Sequence, residues 1–175
     1  MIRQNPKGIL LLTGTVGTGK TTSAIEIIEQ LADMGLPCAV IDLDWLGWIN
    51  VGADFHEYET LIAQNVISVW PNYHALGVKY LVLARGFTQR EPVQTLKKAF
   101  PDTPMTIVRL IASKETITMR LTQRDSGETL REHLEELNEM DRIMDELQLE
   151  DEIIITDAVS VKNVAQQIVN LIDWK

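Results

Sequence analysis

The sequence has 175 residues, of which 45% are hydrophobic and 23% charged, and its 25 acids and 16 bases give a net charge of −9. Its single cysteine excludes an internal disulfide framework and a multi-cysteine zinc site, and no apolar run is long enough to cross a membrane. Length and apolar content predict one soluble domain, residues 1–175, which we expect in the cytoplasm.

The negative charge is concentrated in one segment of the chain. Residues 125–152 hold twelve acids and two bases, whereas the remainder holds thirteen acids and fourteen bases. A partner that binds through its phosphate backbone needs a basic stripe on the protein, and none is visible here. We therefore expect no nucleic-acid partner and no membrane partner.

The first half of the chain alternates apolar runs with helical patterns. Continuous apolar stretches predict buried strands at 8–13, 38–42 and 80–84. Apolar residues at helical spacing follow the first strand and stop at Gly35. A second helical pattern covers 54–76, and we expect Pro71 to kink or break it.

The second half continues the same alternation. Thr88-x-x-Glu91 has the form of a capping box that opens a short helix to Phe100. A strand is predicted at 105–112, followed by a helix that Ser113 caps and that runs through Arg124. The acidic segment then places apolar residues on one helical stripe, namely Leu130, Leu134, Leu137, Met140, Met144 and Leu147.

A last strand at 152–156 and a helix at 160–174 complete the pattern. Five strands alternating with helices predict an α/β fold, a three-layer sandwich in which a five-stranded parallel sheet has helices on both faces.

A glycine-rich segment joins the first strand to the first helix. Residues 14–21 fit the phosphate-loop (Walker A) pattern G-x-x-x-x-G-K-[ST], in the strand-to-helix context that this pattern requires. Glycines let backbone N–H groups curl around phosphates, and the helix N-terminus adds partial positive charge. Lys20 is expected on the β- and γ-phosphates and the Thr21 hydroxyl on Mg²⁺. The predicted nucleotide-binding residues are Gly14, Thr15, Val16, Gly17, Thr18, Gly19, Lys20, Thr21 and Thr22.

Two acids, Asp42 and Asp44, follow the second strand. Ligands of open parallel sheets bind beyond the carboxyl ends of the strands, so these carboxylates should face the phosphate loop. Alternation along an extended backbone would point both the same way. One could hold Mg²⁺ through a water molecule and the other could orient or deprotonate an acceptor hydroxyl. The alternative is that they are solvated caps of the strand end.

The phosphate loop, the D-x-D pair and the five-strand layout together resemble the small-molecule and nucleotide kinases with phosphate loops. This group includes the shikimate, gluconate, adenylylsulfate and chloramphenicol kinases. The resemblance implies strand order 2-3-1-4-5, ATP and Mg²⁺ as cofactors, and transfer of the γ-phosphoryl group to a hydroxyl of a small-molecule acceptor. In shikimate kinases the first aspartate of a matching D-x-D lies near Mg²⁺ and the second contacts the substrate hydroxyl. The resemblance gives these roles to Asp42, beside Thr21, and to Asp44.

Such kinases also carry arginines at the edge of a mobile lid, which implies a lid or helical cover around 120–150. Arg120 and Arg124 stand in the matching place as catalytic candidates, and their spacing puts them on one helical face. Alternatively, they complement the helix dipole and pair with acids such as Glu128. Thr156-Asp157-Ala158, after the last strand, correspond to the region in which these kinases hold the adenine, mostly through the backbone.

Three further residues are candidates for acceptor binding. Arg85, after the third strand, either binds an anionic or polar acceptor or makes an ordinary surface pair. Trp45 and Trp48 flank the D-x-D and form either an acceptor platform or core packing beneath a loop. His56, His74 and His133 have no spacing typical of a metal site or a catalytic pair.

The pattern also departs from its relatives. The third strand ends without the aspartate that many phosphate-loop ATPases place there, and the glycine-and-tyrosine segments of adenylylsulfate kinases and the D-x-x-H of gluconate kinases are missing. The acceptor is therefore not carried over from either. Two rivals stay open: a GTPase switch, since residues 44–47 read D-x-x-G although no N-K-x-D follows, and a nucleotide-binding regulator with little turnover. The sequence is compatible with a monomer or a homodimer.

Overall fold

The computed structural model describes residues 4–52 and 54–174 of the chain. In that part the strands are β1 (Gly8–Thr13), β2 (Cys38–Asp42), β3 (Tyr80–Ala84), β4 (Met105–Ile111) and β5 (Glu152–Ile155). The helices are α1 (Lys20–Asp33), α2 (Phe55–Ala75), α3 (Glu91–Ala99), α4 (Lys114–Arg124), α5 (Gly127–Leu147) and α6 (Val161–Leu171). A short 3-10 turn at Leu43–Leu46 follows β2.

The strands form one parallel sheet in the order β2-β3-β1-β4-β5, which confirms the predicted topology. β1 is central and every one of its residues is buried, because strands cover both of its edges and helices cover both of its faces. All five carboxyl ends lie at one edge of the sheet. The loop after β1 and the acids after β2 are therefore neighbours.

Two large apolar layers lie on opposite faces of the sheet, so the three-layer architecture is also confirmed. Alternate residues of β1 supply the two layers, with Ile9 and Leu11 on one face and Leu10 and Leu12 on the other. Helices α2 and α3 cover the first face, and α1 and α6 cover the second.

Helix α5 buries part of the predicted apolar stripe, with Leu137 and Met144 buried. Leu137 joins a small separate cluster with Ile117 and Leu121 of α4. The acidic residues of α5 face outward or toward Arg109 of β4, whose guanidinium is 3% exposed and bonds Asp141 and Asp145.

Of the two outcomes expected at Pro71, the break is wrong and the kink stays a prediction. Helix α2 continues through Pro71 without a break, because the packing of the preceding Trp70, which is fully buried and donates to the Gln4 carbonyl, outweighs the local cost of proline. A second local prediction is also wrong. Thr88 does not cap α3, which begins at Glu91 with Arg90 in the capping position and no side-chain cap. Pro92 accounts for this start, since proline is favoured in the first helical turn.

Candidate active site

The phosphate loop adopts a conformation that depends on its glycines. Gly14, Gly17 and Gly19 all have positive φ, at 139°, 80° and 96°. A Cβ on Gly14 would lie 2.3 Å from the Leu110 carbonyl oxygen of the neighbouring strand. The loop therefore packs against β4 at a distance that no side chain permits, and it leads into the N-terminus of α1.

The Lys20 ammonium lies against this loop. Its Nζ donates to the carbonyl oxygens of Gly14 and Thr15, each at 2.9 Å. Burial lowers the pKa of Lys20 to about 8, although the carboxylates of Asp44 and Asp42 act in the opposite direction. Within the loop, Gly14 and Thr15 are buried, whereas residues 16–22 line the cleft.

The two predicted acids lie beside the loop. The Thr21 hydroxyl donates to Asp42 Oδ2 at 2.7 Å, which joins α1 to the end of β2. Asp42 Oδ1 accepts from the Asp44 amide at 3.2 Å and caps the 3-10 turn. The predicted extended alternation is wrong, because the strand ends at Asp42. The turn, not the pleat, brings both carboxylates to the same cleft.

Asp44 is the more solvated of the two acids, with a side chain that is 65% exposed. Partial loss of hydration in the cleft raises its pKa, and the Asp42 carboxylate adds to that effect. Arg85 Nε lies 3.3 Å from Asp44 Oδ1 and opposes it.

Arg85 makes a buried ion pair that the sequence did not reveal. Its two Nη atoms bond the two carboxylate oxygens of Glu59 on α2, at 3.0 and 2.5 Å, and both side chains are at most 10% exposed. The surface-pair alternative for Arg85 is therefore wrong. The guanidinium also lies 5.3 Å from the centre of the Tyr58 ring. No local pattern marks Glu59, which lies 26 residues away in an amphipathic helix.

The two tryptophans after β2 are exposed. Trp45 is 70% and Trp48 76% exposed, and their rings meet edge to face with centres 4.9 Å apart. Core packing is thus the wrong alternative for this pair. Both indoles line the same cleft as Asp44.

The two lid arginines have different partners. Arg120 reaches beneath the phosphate loop, where it donates to the Gly17 carbonyl at 3.2 Å and to the side chain and carbonyl of Thr156 at 3.0 and 2.9 Å. Arg124 is half-exposed and donates to both oxygens of Asp125, each at 2.8 Å.

His133 belongs to this second group, because its Nδ1 lies 2.7 Å from Asp125 Oδ2. The sequence spacing did not single out this histidine. Hydrogen bonds from Arg124, and a second one from His133, hold the pKa of Asp125 below its usual range.

Most of these groups border one cleft of about 1230 Å³ along the carboxyl edge of the sheet, namely Lys20, Thr21, Asp42, Asp44, Trp45, Trp48, Arg85, Arg120, Arg124 and His133. Its lining includes the phosphate loop, Arg120 and Thr156, and also Asp44, the two tryptophans and residues of α5. The cleft thus combines a polar loop with exposed aromatic side chains.

Solved structures of other proteins share this architecture. The shikimate kinase of Bacteroides thetaiotaomicron aligns over 95% of this chain and 99% of its own, with 16% identity and a TM-score of 0.65. The Deinococcus radiodurans tunicamycin resistance protein aligns over 98% of both chains, with 17% identity and a TM-score of 0.64. The APS kinase of Mycobacterium tuberculosis, in complex with AMPPNP and APS, aligns over 95% and 98%, with 15% identity and a TM-score of 0.62. No family model and no curated protein matches the sequence.

The chain has the fold of the phosphate-loop kinases. At these identities the likeness concerns the fold alone, and it agrees with the resemblance found in the sequence. The phosphate loop and the D-x-D pair stand at the carboxyl edge of this kinase-like sheet, where ligands of such sheets bind.

The oxygen donors of this kinase-like cleft suit Mg²⁺. A hydroxyl and a carboxylate already lie 2.7 Å apart at Thr21 and Asp42, and both are the hard oxygen ligands that Mg²⁺ prefers. Within residues 4–52 and 54–174 no cluster of three or more histidine, cysteine or acidic side chains could hold a metal. That finding is compatible with Mg²⁺, which commonly binds through one or two protein ligands and substrate phosphates.

No helix in the described ranges is long and apolar enough to span a membrane.

The residues that follow β5, Thr156 and Asp157, make hydrogen bonds to α4 and to the residue that caps it. Asp157 accepts from the Ser113 amide and from the hydroxyls of Ser113 and Thr116, and these bonds lower its pKa. The Thr156 carbonyl accepts from Arg120. These contacts fix α4 to the end of β5, next to the loop.

Proposed function

We propose that the protein is a phosphotransferase that uses ATP and Mg²⁺ and transfers the γ-phosphoryl group to a hydroxyl of a small molecule. The observation that carries the proposal is the contact between Thr21 and Asp42, with Lys20 on one side and Asp44 on the other. A glycine-rich turn of purely structural use would not need a hydroxyl, a carboxylate and an ammonium at its mouth.

The phosphate end of the cleft would bind the nucleotide. Backbone amides of residues 14–21 and the Lys20 ammonium would hold the phosphates. Thr21 and Asp42 would hold Mg²⁺, Asp42 directly or through a water molecule. When bound, Mg²⁺ would neutralise charge on the β- and γ-phosphate oxygens.

Asp44 would receive or orient the proton of the acceptor hydroxyl. Its raised pKa makes it a better proton acceptor than an ordinary aspartate. As the acceptor oxygen bonds to the γ-phosphorus, the bond from that phosphorus to the bridging oxygen breaks and ADP leaves with the electron pair. The hydroxyl proton passes to Asp44 and from there to solvent.

The helical cover would complete the site. Arg124 stands on the exposed side of the cleft, and closure of α4 and α5 would bring its charge toward the transferred group. Arg120, which links the loop to Thr156, would keep the loop in position while its charge acts on the phosphates. Exclusion of water by the cover would suppress hydrolysis.

The test measures ADP release from ATP and Mg²⁺ with a panel of hydroxyl compounds. We expect slow hydrolysis alone and a large stimulation by a suitable compound. Asp44→Asn should lower the stimulated rate by about 10² to 10⁴ while the Kd for AMPPNP changes less than about threefold. Lys20→Ala should lower the stimulated rate and also weaken the binding of AMPPNP. The control is Asp33→Asn at the exposed end of α1, which should change neither.

Two results would contradict the proposal. Binding of AMPPNP without stimulation by any compound of a broad panel would favour a nucleotide-binding regulator. A strong preference for GTP over ATP, with hydrolysis but no transfer, would favour a switch.

A further inference from the structure

The charged side chains that line the cleft near Asp44 indicate which charge an acceptor can carry. Among the described residues, the lysines and arginines that line the cleft are Lys20, Arg85, Arg120 and Arg124. Lys20 and Arg120 contact the phosphate loop. Arg85 contacts Asp44, with Nε 3.3 Å from its Oδ1, and Lys20 binds the phosphates in the proposed function. Arg85 is therefore the cation that a negatively charged acceptor beside Asp44 would use.

Arg85 is already neutralised. Both Nη atoms of Arg85 donate to the Glu59 carboxylate in a buried ion pair, and Asp44 Oδ1 lies 3.3 Å from Arg85 Nε. The face formed by its two Nη atoms is turned to Glu59, and its Nε side lies against Asp44, so an acid already stands at each of these faces. An acceptor carboxylate or sulfate would have to displace a buried glutamate and leave that glutamate without its partner, which is costly.

Arg124 is half-exposed, and in this open arrangement it donates to both oxygens of Asp125. Glu136 adds a further acid to this wall of the cleft. It makes no ion pair with any side chain in the described ranges. Asp42, Asp44 and Glu136 are the acids that line the cleft among the described residues, and Arg85 and Arg124 each already have an acidic partner.

The cleft also has large exposed apolar faces. Trp45 and Trp48, which follow Asp44 in the chain, are more than two-thirds exposed, and Tyr58 and Met140 line the same cleft. Aromatic side chains in a cleft bind flat apolar or cationic groups through stacking and cation–π contacts.

We infer that the acceptor is an uncharged or cationic alcohol with a flat ring, and that it carries no carboxylate, sulfate or phosphate group. This inference rests on the proposed phosphotransferase function. The ring would lie on Trp45 and Trp48 with its reacting hydroxyl at Asp44. An anionic alcohol would find Arg85 already paired, and the carboxylates of Asp44 and Glu136, which line the cleft, would repel it.

The first experiment measures ADP release by the full chain with equal numbers of anionic, neutral and cationic hydroxyl compounds. The panel includes a matched set that keeps one ring and one hydroxymethyl group, namely 4-(hydroxymethyl)benzamide, 4-(hydroxymethyl)benzoate and 4-(aminomethyl)benzyl alcohol. We expect the compound with the highest kcat/KM to be a neutral or cationic ring alcohol. We also expect anionic members of matched sets to be at least roughly tenfold poorer.

The outcomes separate the two proposals. If the best acceptor is an anionic alcohol, the inference about the acceptor is overturned while the phosphotransferase function stands. If no compound stimulates ADP release, the phosphotransferase function fails and the inference fails with it.

A pair of variants tests the physical reason. Glu136→Lys reverses a charge on the cleft wall, and Glu139→Lys makes the same change on the same helix at an exposed position that does not line the cleft. Glu136→Lys should reduce the discrimination against anionic members by roughly tenfold. Glu139→Lys should leave the discrimination and the kcat unchanged. Equal effects of the two variants would overturn the electrostatic explanation.

Discussion

At the scale of single residues, the phosphate loop keeps its lysine in a position where the charge is costly. Lys20 donates to two carbonyls of its own loop, and burial holds its pKa near 8. Between pH 8 and 10.5, the ordinary value, the unfolded chain binds more protons than the folded one. The stability of the free protein therefore rises with pH through this window. Binding of a polyphosphate, in contrast, requires the protonated, positively charged form of Lys20.

Nucleotide affinity should therefore fall as the pH rises above about 8. The reason is that the free protein loses the Lys20 charge there, and the phosphates must then restore the proton. Isothermal titration with AMPPNP and Mg²⁺ between pH 7 and 9.5 should show a Kd that increases roughly tenfold per pH unit at the upper end.

The matched variants are Lys20→Arg and Lys20→Met. Arginine keeps its charge over this range, so its Kd should not depend on pH, and methionine should bind weakly at every pH. A wild-type Kd that stays constant to pH 9.5 would show that Lys20 is charged in the free loop and that its pKa is not lowered.

At the scale of elements, the attachment of α5 to the sheet depends on a buried arginine. Arg109 of β4 is 3% exposed, and its guanidinium bonds Asp145 at 2.7 Å and Asp141 at 3.0 Å. Glu150 lies 3.6 Å away and is also largely buried. The sequence held a signal for this contact, because an arginine interrupts the apolar run of β4 and a strand buried on both faces needs a counter-ion for such a charge.

Replacing Arg109 should destabilise the protein more than replacing an exposed arginine that forms an ion pair within α5. Arg109→Met keeps the apolar stem but leaves three carboxylates without their cation, and we expect a loss of about 2 kcal/mol in the free energy of unfolding. Arg142→Met breaks an exposed pair with Glu146, both about two-thirds exposed, and should cost less than about 0.5 kcal/mol. Urea denaturation measures both. Equal losses would show that Arg109 does not hold α5 to the sheet.

At the scale of the whole molecule, the fold was predictable and part of the site was not. Continuous apolar runs with clear ends predicted β1, β2 and β3 to the residue, and the phosphate loop needs a strand before it and a helix after it. The partners of Arg85 and Arg120 could not be predicted, because Glu59 and Thr156 lie far away in sequence and meet them only after the sheet has formed. Pattern reasoning reaches local periodicity, whereas these bonds depend on tertiary contacts.

The distribution of the core over the molecule predicts which part moves. The two large apolar layers join the sheet to α1, α2, α3 and α6, whereas α4 and the first half of α5 share a small cluster around Leu121 and Leu137. Few buried apolar contacts mean a low free energy of local opening. Backbone amides of residues 127–139 should therefore exchange with solvent faster than those of α6, which packs on α1.

Bound nucleotide should slow that exchange. If α4 and α5 form a lid over the phosphates, AMPPNP with Mg²⁺ should stabilise the closed arrangement and protect residues 127–139 by roughly tenfold or more, about 1.4 kcal/mol of local stability. Amides of residues 165–171 in α6, which do not line the cleft, should change much less, and they serve as the internal control for global stabilisation. Hydrogen exchange followed by mass spectrometry resolves the two segments. Equal protection of both would mean that nucleotide stabilises the fold as a whole, and the cover over the cleft would then be a fixed wall with the acceptor entering past it.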